Sequence, residues 1–226
     1  MSRPFELLVF DWDGTLMDSE EHIVASMERA IDDLALPSLP RSRLRDVIGL
    51  GLAEAIERLY PEIAAPLQLQ IKDRYRYHFL AEDPCEPFAG AGEVLRGLEK
   101  QGYLLAVATG KGRGGLDRVL DSTGFRPFFH ATRTAEETRS KPHPQMLEEV
   151  ITLCGAEPAV TLMIGDTEYD LEMARNAGVT PLAVSYGVHA VDRLQRHEPA
   201  GVLDDIRQLP AWLETAAQDD SGGESL

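Results

Sequence analysis

Four short segments carry acids, hydroxyls and lysines at spacings that suit chemistry on a phosphate group. The first is Asp11-Trp-Asp13-Gly-Thr15, with two carboxylates two positions apart. The others are Thr109-Gly110-Lys111, Lys141-Pro-His-Pro144 and Gly165-Asp166-Thr-Glu-Tyr-Asp170. Each alone has an ordinary explanation. An aspartate at a strand end commonly caps or turns the chain, and Lys111 or Lys141 would by default be solvated. Together they form a set with a purpose. Enzymes accelerate phosphate monoester hydrolysis by up to ~10²¹-fold, roughly 28 kcal/mol, which no single group supplies. A carboxylate nucleophile is repelled by the phosphate it attacks, so a metal and a cation must offset the charge. Clustered aspartate oxygens suit Mg²⁺. A lysine can hold nucleophile and phosphoryl oxygens together, threonine hydroxyls such as those of Thr15 and Thr109 can bind the remaining oxygens, and a second acid can protonate the leaving group.

Such a set works only if the fold gathers it at one place. Phe5-Glu-Leu-Leu-Val-Phe10 reads as a buried strand ending at Asp11. Residues from about 18 to 81 then look all-helical, with Asp18 or Ser19 as a cap and apolar residues at helical spacing in four stretches, the last through Leu67, Ile71, Tyr75 and Phe79. Asp83-Pro-Cys-Glu-Pro87 reads as a return linker. Beyond it strands are expected at 103–108, 128–131, 160–164 and 179–184, alternating with helices. That alternation predicts a parallel sheet covered by helices on both faces, an α/β fold. Its strand ends share one edge, so the four segments converge on one crevice. The helical stretch, inserted after the first strand, is placed above that crevice as a lid hinged near 17–19 and 82–87. Residues 218–226 are polar and are expected to be a disordered tail.

Composition excludes several function classes. The chain has 226 residues, 43% hydrophobic and 27% charged, which is globular. Its net charge of −16 repels nucleic acid and anionic membrane, so neither is an expected partner. A small phosphorylated metabolite is expected instead, bound by a monomer or homodimer. No apolar run approaches the ~20 residues of a membrane helix, and no signal peptide is visible. Cys154 falls in line with Met146, Leu147, Val150 and Ile151 as a core filler, and Cys85 lies in the proline-flanked loop. Neither has zinc-ligand spacing. Two unpaired thiols suit a reducing cytosol, so a cytoplasmic location is expected.

In this order, the four segments resemble the motifs of the haloacid dehalogenase superfamily of phosphotransferases, over nearly the whole chain. The resemblance implies a modified Rossmann fold with a small inserted α-helical cap, the core being 1–17 and 84–226 and the cap 18–83. It implies that Asp11 is phosphorylated and that Asp13 is the general acid/base. It implies Mg²⁺ held by Asp11, the backbone carbonyl of Asp13, and Asp166, with Asp170 a ligand or a support for the metal shell or Lys141. Thr109 and Lys141 look like the family's phosphate-binding hydroxyl and third-motif lysine.

Asp13 favours phosphate chemistry, because the dehalogenases that name the superfamily act without a metal and lack this acid. β-Phosphoglucomutase-like members usually carry a histidine five positions after the acid that starts the cap. Here that position is Ile23, with His22 one place off, which favours hydrolysis. The stretch Ile48 to Arg58 resembles phosphoglycolate phosphatase-like members, whose glycine-containing turn faces the active site. Gly49 and Gly51 would then bring backbone N–H groups to the substrate, or merely join two helices. Gly110 stands where many relatives have Asn, and Lys111 would touch phosphate or substrate. The expected function is a Mg²⁺-dependent phosphatase of a small phosphate monoester, phosphoglycolate- or sugar-phosphate-like, acting through a phosphoaspartyl intermediate. A phosphomutase, a pyrophosphatase and a non-catalytic phosphate-binding regulator remain the alternatives.

Overall fold

The computed structural model describes residues 3–81 and 85–222. Part of the expected return linker and second hinge, residues 82–84, lies outside the described residues. The first strand, β1 (Leu7–Phe10), is followed by four helices: α1 (Glu20–Asp33), α2 (Arg41–Asp46), α3 (Leu52–Leu59) and α4 (Ala65–Ala81). Then come α5 (Ala91–Lys100), β2 (Leu104–Thr109), α6 (Arg113–Thr123), β3 (Ala131–Thr134), α7 (Gln145–Cys154), β4 (Thr161–Gly165) and α8 (Glu168–Asn176). The chain continues through β5 (Thr180–Val184), α9 (Val191–Gln195), β6 (Val202–Leu203) and α10 (Leu209–Gly222).

All six strands are parallel, in the order β3-β2-β1-β4-β5-β6. Alternation along β1 divides the core. Leu8 and Phe10 join Val107, Ile164 and the buried faces of α5, α6 and α10, while Leu7 and Val9 join Ala106, Met163 and those of α7 and α8. Strand order reverses between β1 and β4, the topological switch point where open α/β sheets bind ligands. Pairing of Phe10 with Ile164 brings the next residues, Asp11 and Gly165, side by side there.

Helices α1 to α4 build a separate apolar cluster from Val24, Met27, Ile31, Leu44, Ile56, Leu59 and Ile71, joined by Tyr169 and Val188 of the sheet region. Only Ile71 of α4 is fully buried; Tyr75 and Phe79, read from the same periodicity, are half-buried. Among the described residues no helix is long and apolar enough to cross a membrane.

Two expectations require correction. The strand expected at 128–131 forms at 131–134, and Arg126–Phe128 is a 3₁₀ turn. The apolar run that suggested a strand packs Phe128 and Phe129 against the core instead, while the ladder is set by pairing Ala106 with Ala131. Residues 218–222 are helical, not disordered; 223–226 lie outside the described residues. Leu209 and Leu213 anchor α10 in the core, and Ala216 and Ala217 favour its continuation.

Ile71 is the best test of the helical cluster's independence. Ile71→Ala should destabilise the protein by about 2–5 kcal/mol. Denaturant unfolding should show that loss, with tyrosines of the helical cluster released before or with the sheet.

Candidate active site

Asp11, directly after β1, is fully buried beside Lys141, whose side chain is itself fully buried. Lys141 Nζ stands 2.7 Å from Asp11 Oδ1, an ion-pair contact poorly angled for a hydrogen bond. Oδ2 of Asp11 has no hydrogen-bond partner among the described residues. Lys141 donates to Asp170 Oδ1 at 2.6 Å. The other oxygen of Asp170 accepts from the Thr167 hydroxyl (2.6 Å) and backbone N–H (3.1 Å). This is a capping box at the start of α8, built from Thr167 and Asp170. The motif that starts a helix therefore also aims the carboxylate that holds the lysine.

Asp166 follows β4 and is equally buried. It accepts from Thr15 Oγ1 at 2.8 Å and from the Val188 N–H at 2.8 Å. Gly14, at φ +81°, makes this approach possible: a Cβ there would lie 2.2 Å from Asp166 Oδ2. Thr15 was expected to bind substrate, yet it is fully buried with its hydroxyl committed to Asp166. That bond orients the Asp166 carboxylate.

Asp13 faces a large cavity beneath the helices, as Asp11 does. Two groups meet on its Oδ1: the Ser19 hydroxyl donates at 2.6 Å, and Lys111 Nζ forms an ion pair at 2.9 Å. Ser19 sits at the N-cap position of α1, but its side chain makes no capping bond. Lys111 is a buried partner of Asp13, not a solvated charge, and its ammonium also lies 4.7 Å above the Phe79 ring. Thr109, ending β2, is buried and accepts the Lys111 N–H at 3.2 Å.

The glycine turn between α2 and α3 reaches the sheet edge. Gly49, Gly51 and Gly110 all line the cavity. The Gly51 N–H, expected to reach substrate, donates to Ser140 Oγ at 2.8 Å instead. A Cβ on Gly110 would lie 2.5 Å from the Leu50 carbonyl oxygen and 2.6 Å from that of Gly49. These glycines let two backbones meet. Further bonds fix the turn: Tyr169 Oη donates to the Asp46 carbonyl at 2.7 Å, and Arg193 pairs with both Asp46 and Glu168.

Thr167, Ser140, Val188 and Tyr186, whose hydroxyl donates to the Thr15 carbonyl at 2.9 Å, escaped the sequence reading, and Ser19 reads there only as a helix cap. Of the first four only Thr167 left a sequence signal, its capping-box spacing to Asp170. Residues after 184 were not read for the site at all, because they carry no strong acid or lysine motif.

Residues 8–184 match the profile of the haloacid dehalogenase-like hydrolases. The chain belongs to that family. It is 34% identical to the Dickeya dadantii protein named "Probable phosphatase IndB", over 90% of this chain and 91% of that one. It is 31% identical to a phosphoglycolate phosphatase of Mesorhizobium japonicum, over 94% and 96%. A crystal structure of a hydrolase from Pseudomonas syringae superposes with a TM-score of 0.86 at 24% identity, over 93% of this chain and 98% of the other, which shows the shared fold.

The acidic cluster of this hydrolase fits a divalent cation. Oxygens of Asp11, Asp166 and Asp170 lie within 4.8 Å of one another. Three carboxylates against one lysine leave two formal negative charges (−3 + 1) in a dry site, and Asp11 keeps a buried oxygen without a donor. Burial, then Asp170, pushes the Asp166 pKa up to about 7. Burial also holds that of Asp11 well above the carboxylate range; Lys141 opposes the rise, while Asp170 and Asp166 add to it. Burial disfavours the charge on Lys141, yet Asp11 and Asp170 outweigh it and keep the ammonium protonated.

A raised carboxylate pKa means that the metal-free fold loses stability as pH rises from the ordinary 3.8 through about 7, where Asp166 must ionise. A bound cation reverses the penalty but must displace the Asp166 proton wherever the pH is below about 7. The rise in Tm on adding Mg²⁺ should therefore be small near pH 5, grow through pH 7 and level off above it. Differential scanning calorimetry with Mg²⁺ and with EDTA measures this, and a Tm rise independent of pH would place the cation elsewhere.

Proposed function

We propose that this hydrolase is a Mg²⁺-dependent phosphatase that cleaves a phosphate monoester through a phosphoaspartyl enzyme at Asp11. The observation that carries this reading is the setting of Asp11. One oxygen faces Lys141, the other has no donor, and the carboxylate opens into a cavity that also holds the carboxylate of Asp13. An aspartate kept for structure would have its lone pairs filled.

Mg²⁺ would be held by Asp11, Asp166 and the backbone carbonyl of Asp13, with Asp170 behind them. Bound there, it would neutralise charge on the phosphoryl oxygens. The protein's own groups carry the rest. Lys141 holds Asp11 in place and offsets charge building on the phosphoryl group. An Asp11 oxygen attacks phosphorus, and the bond from phosphorus to the ester oxygen breaks. Asp13 in its acid form gives its proton to the departing oxygen. Its carboxylate then takes a proton from water as that water attacks phosphorus, and cleavage of the phosphorus–Asp11 bond releases inorganic phosphate. Ser19 and Lys111 both hold Oδ1 of Asp13, which leaves Oδ2 as the oxygen that exchanges the proton. Thr109 and the Lys111 loop border the phosphate position.

Helices α1 to α4 are assigned as a cap over this site, opening for substrate and excluding water when closed. Contacts of the Gly49–Gly51 turn with Ser140 and Gly110 support a closed arrangement. Hydrolysis is favoured over a mutase reaction because Ile23 lines the cavity where a mutase would carry histidine. His22 lines an adjoining pocket, its Nε2 held 3.0 Å from the Phe79 carbonyl oxygen. Both cysteines are unpaired, which supports a cytoplasmic location.

Asp11→Asn should abolish hydrolysis of every phosphate ester in Mg²⁺ while keeping a cooperative melt, because an amide is a poor nucleophile. Near wild-type turnover in that variant would sink the mechanism. Asp13→Ala should cut kcat on an alkyl phosphate by ~10²–10⁴-fold for each proton transfer lost. The loss should be smaller on p-nitrophenyl phosphate, whose leaving group needs little protonation. Equal losses on both esters would make Asp13 a structural group.

A further inference from the structure

The cavity above Asp11 and Asp13 has a volume of about 900 Å³. At ~30 Å³ per water molecule, that space holds about thirty waters. It lies at the upper end of the range for sites that enclose drug-sized molecules, ~300–1,000 Å³. A phosphate and a two-carbon acid would fill a small part of it. Much of the wall above the catalytic end is apolar: Ile23 and Met27 from α1, Val47 and Leu50 from the α2–α3 connection, and Tyr75 and Phe79 from α4; Lys72, Arg76, Arg118, Glu54 and Glu136 also border the cavity. A small polar substrate would leave most of this apolar surface uncovered.

The position of the rings gives the cavity a direction. Lys111 bridges the carboxylate of Asp13, at 2.9 Å, and the face of Phe79, at 4.7 Å. Tyr75 and Phe79 follow each other along α4 with ring centroids 5.7 Å apart, tilted by 31°. The Tyr75 phenol is held above its ordinary pKa by burial and then by the charge of Asp13. The ester oxygen of a substrate must sit at Asp13 to be protonated. Whatever that oxygen carries therefore extends along the aromatic wall. This also explains why α4 shows helical periodicity while burying only Ile71: its Tyr75 and Phe79 are kept for the cavity.

Building on the phosphatase reading, we infer that the alcohol half of the natural substrate is bulky, largely apolar and ring-bearing, not a two-carbon acid or a simple sugar.

The test compares unactivated esters, so that leaving-group chemistry is nearly constant and binding makes the difference. With Mg²⁺, kcat/KM for 3-phenylpropyl phosphate should exceed that for ethyl phosphate or phosphoglycolate by at least a hundredfold. Ile23→Trp, which narrows the cavity, should lower the ratio of phenylpropyl to ethyl phosphate by at least tenfold. By calorimetry, 3-phenylpropylphosphonate should bind at least tenfold more tightly than methylphosphonate. If phosphoglycolate, glucose 6-phosphate or pyrophosphate is turned over as efficiently as the phenylpropyl ester, the inference is overturned and the phosphatase reading stands. If no ester is hydrolysed, the phosphatase reading falls, and the phosphonate comparison then decides whether the cavity selects apolar groups.

Discussion

The contact between Lys141, Asp11 and Asp170 governs this structure. A lysine with no exposed surface is held between two carboxylates with no exposed surface, at 2.7 and 2.6 Å. Taking those charges out of water costs several kcal/mol each, and mutual attraction offsets this only where geometry and further hydrogen bonds are good. The fold meets that condition unevenly. Asp170 is filled by Lys141 and the α8 capping box, and Asp166 by Thr15 and the Val188 N–H. Asp11 alone is left short of donors. Of these three carboxylates, stability is withheld at the one that opens on the cavity, as expected where burial is used to prepare a reactive group.

The sheet makes this possible without distorting itself. Parallel strands deliver Asp11, Thr109 and Asp166 to a single edge, and the reversal of strand order between β1 and β4 opens the crevice between the first and last of these. Asp13 is treated differently. Its partners come from the start of α1, through Ser19, and from the loop after β2, through Lys111. The carboxylate assigned to proton transfer is thus tied to the base of the helical insertion, and the nucleophile to the rigid sheet. Arg193, Tyr169, Ser140 and Gly110 join the sheet side to the α2–α3 connection, so the cavity roof is fastened where the substrate must lie.

The glycines show how a motif can carry a steric requirement. Gly49 and Gly51 are read from the sequence as backbone donors to a ligand or as a mere helix connection, and Gly110 as a substrate-site residue. The Gly51 N–H is used by Ser140, and Gly110 lacks a side chain because the carbonyls of Gly49 and Leu50 occupy that space. The requirement is steric, set by two backbones meeting from segments sixty residues apart. Lys111 gains its surroundings from the fold: a lysine in a loop is by default solvated, and the packed insertion sets it between Asp13 and Phe79.

The sequence alone determined the α/β class, the helical insertion and the residues Asp11, Asp13, Lys141, Asp166 and Asp170. Local patterns encode them: buried strands are continuous apolar runs, helices repeat their apolar residues, and strand ends in a parallel sheet share an edge. Position within the strands was less legible. Edge strand β3 is Ala-Thr-Arg-Thr, half-polar, and its place follows from pairing with β2 and not from its own hydrophobicity. Tertiary structure alone decided that Thr15 orients Asp166, that Ser19 serves Asp13 and not its helix, and that Tyr75 and Phe79 line a cavity although their spacing looks like core. The reason is physical. A hydroxyl's partner and an aromatic ring's neighbours are fixed by distances between elements far apart in the chain, and periodicity records only which face of an element leaves water.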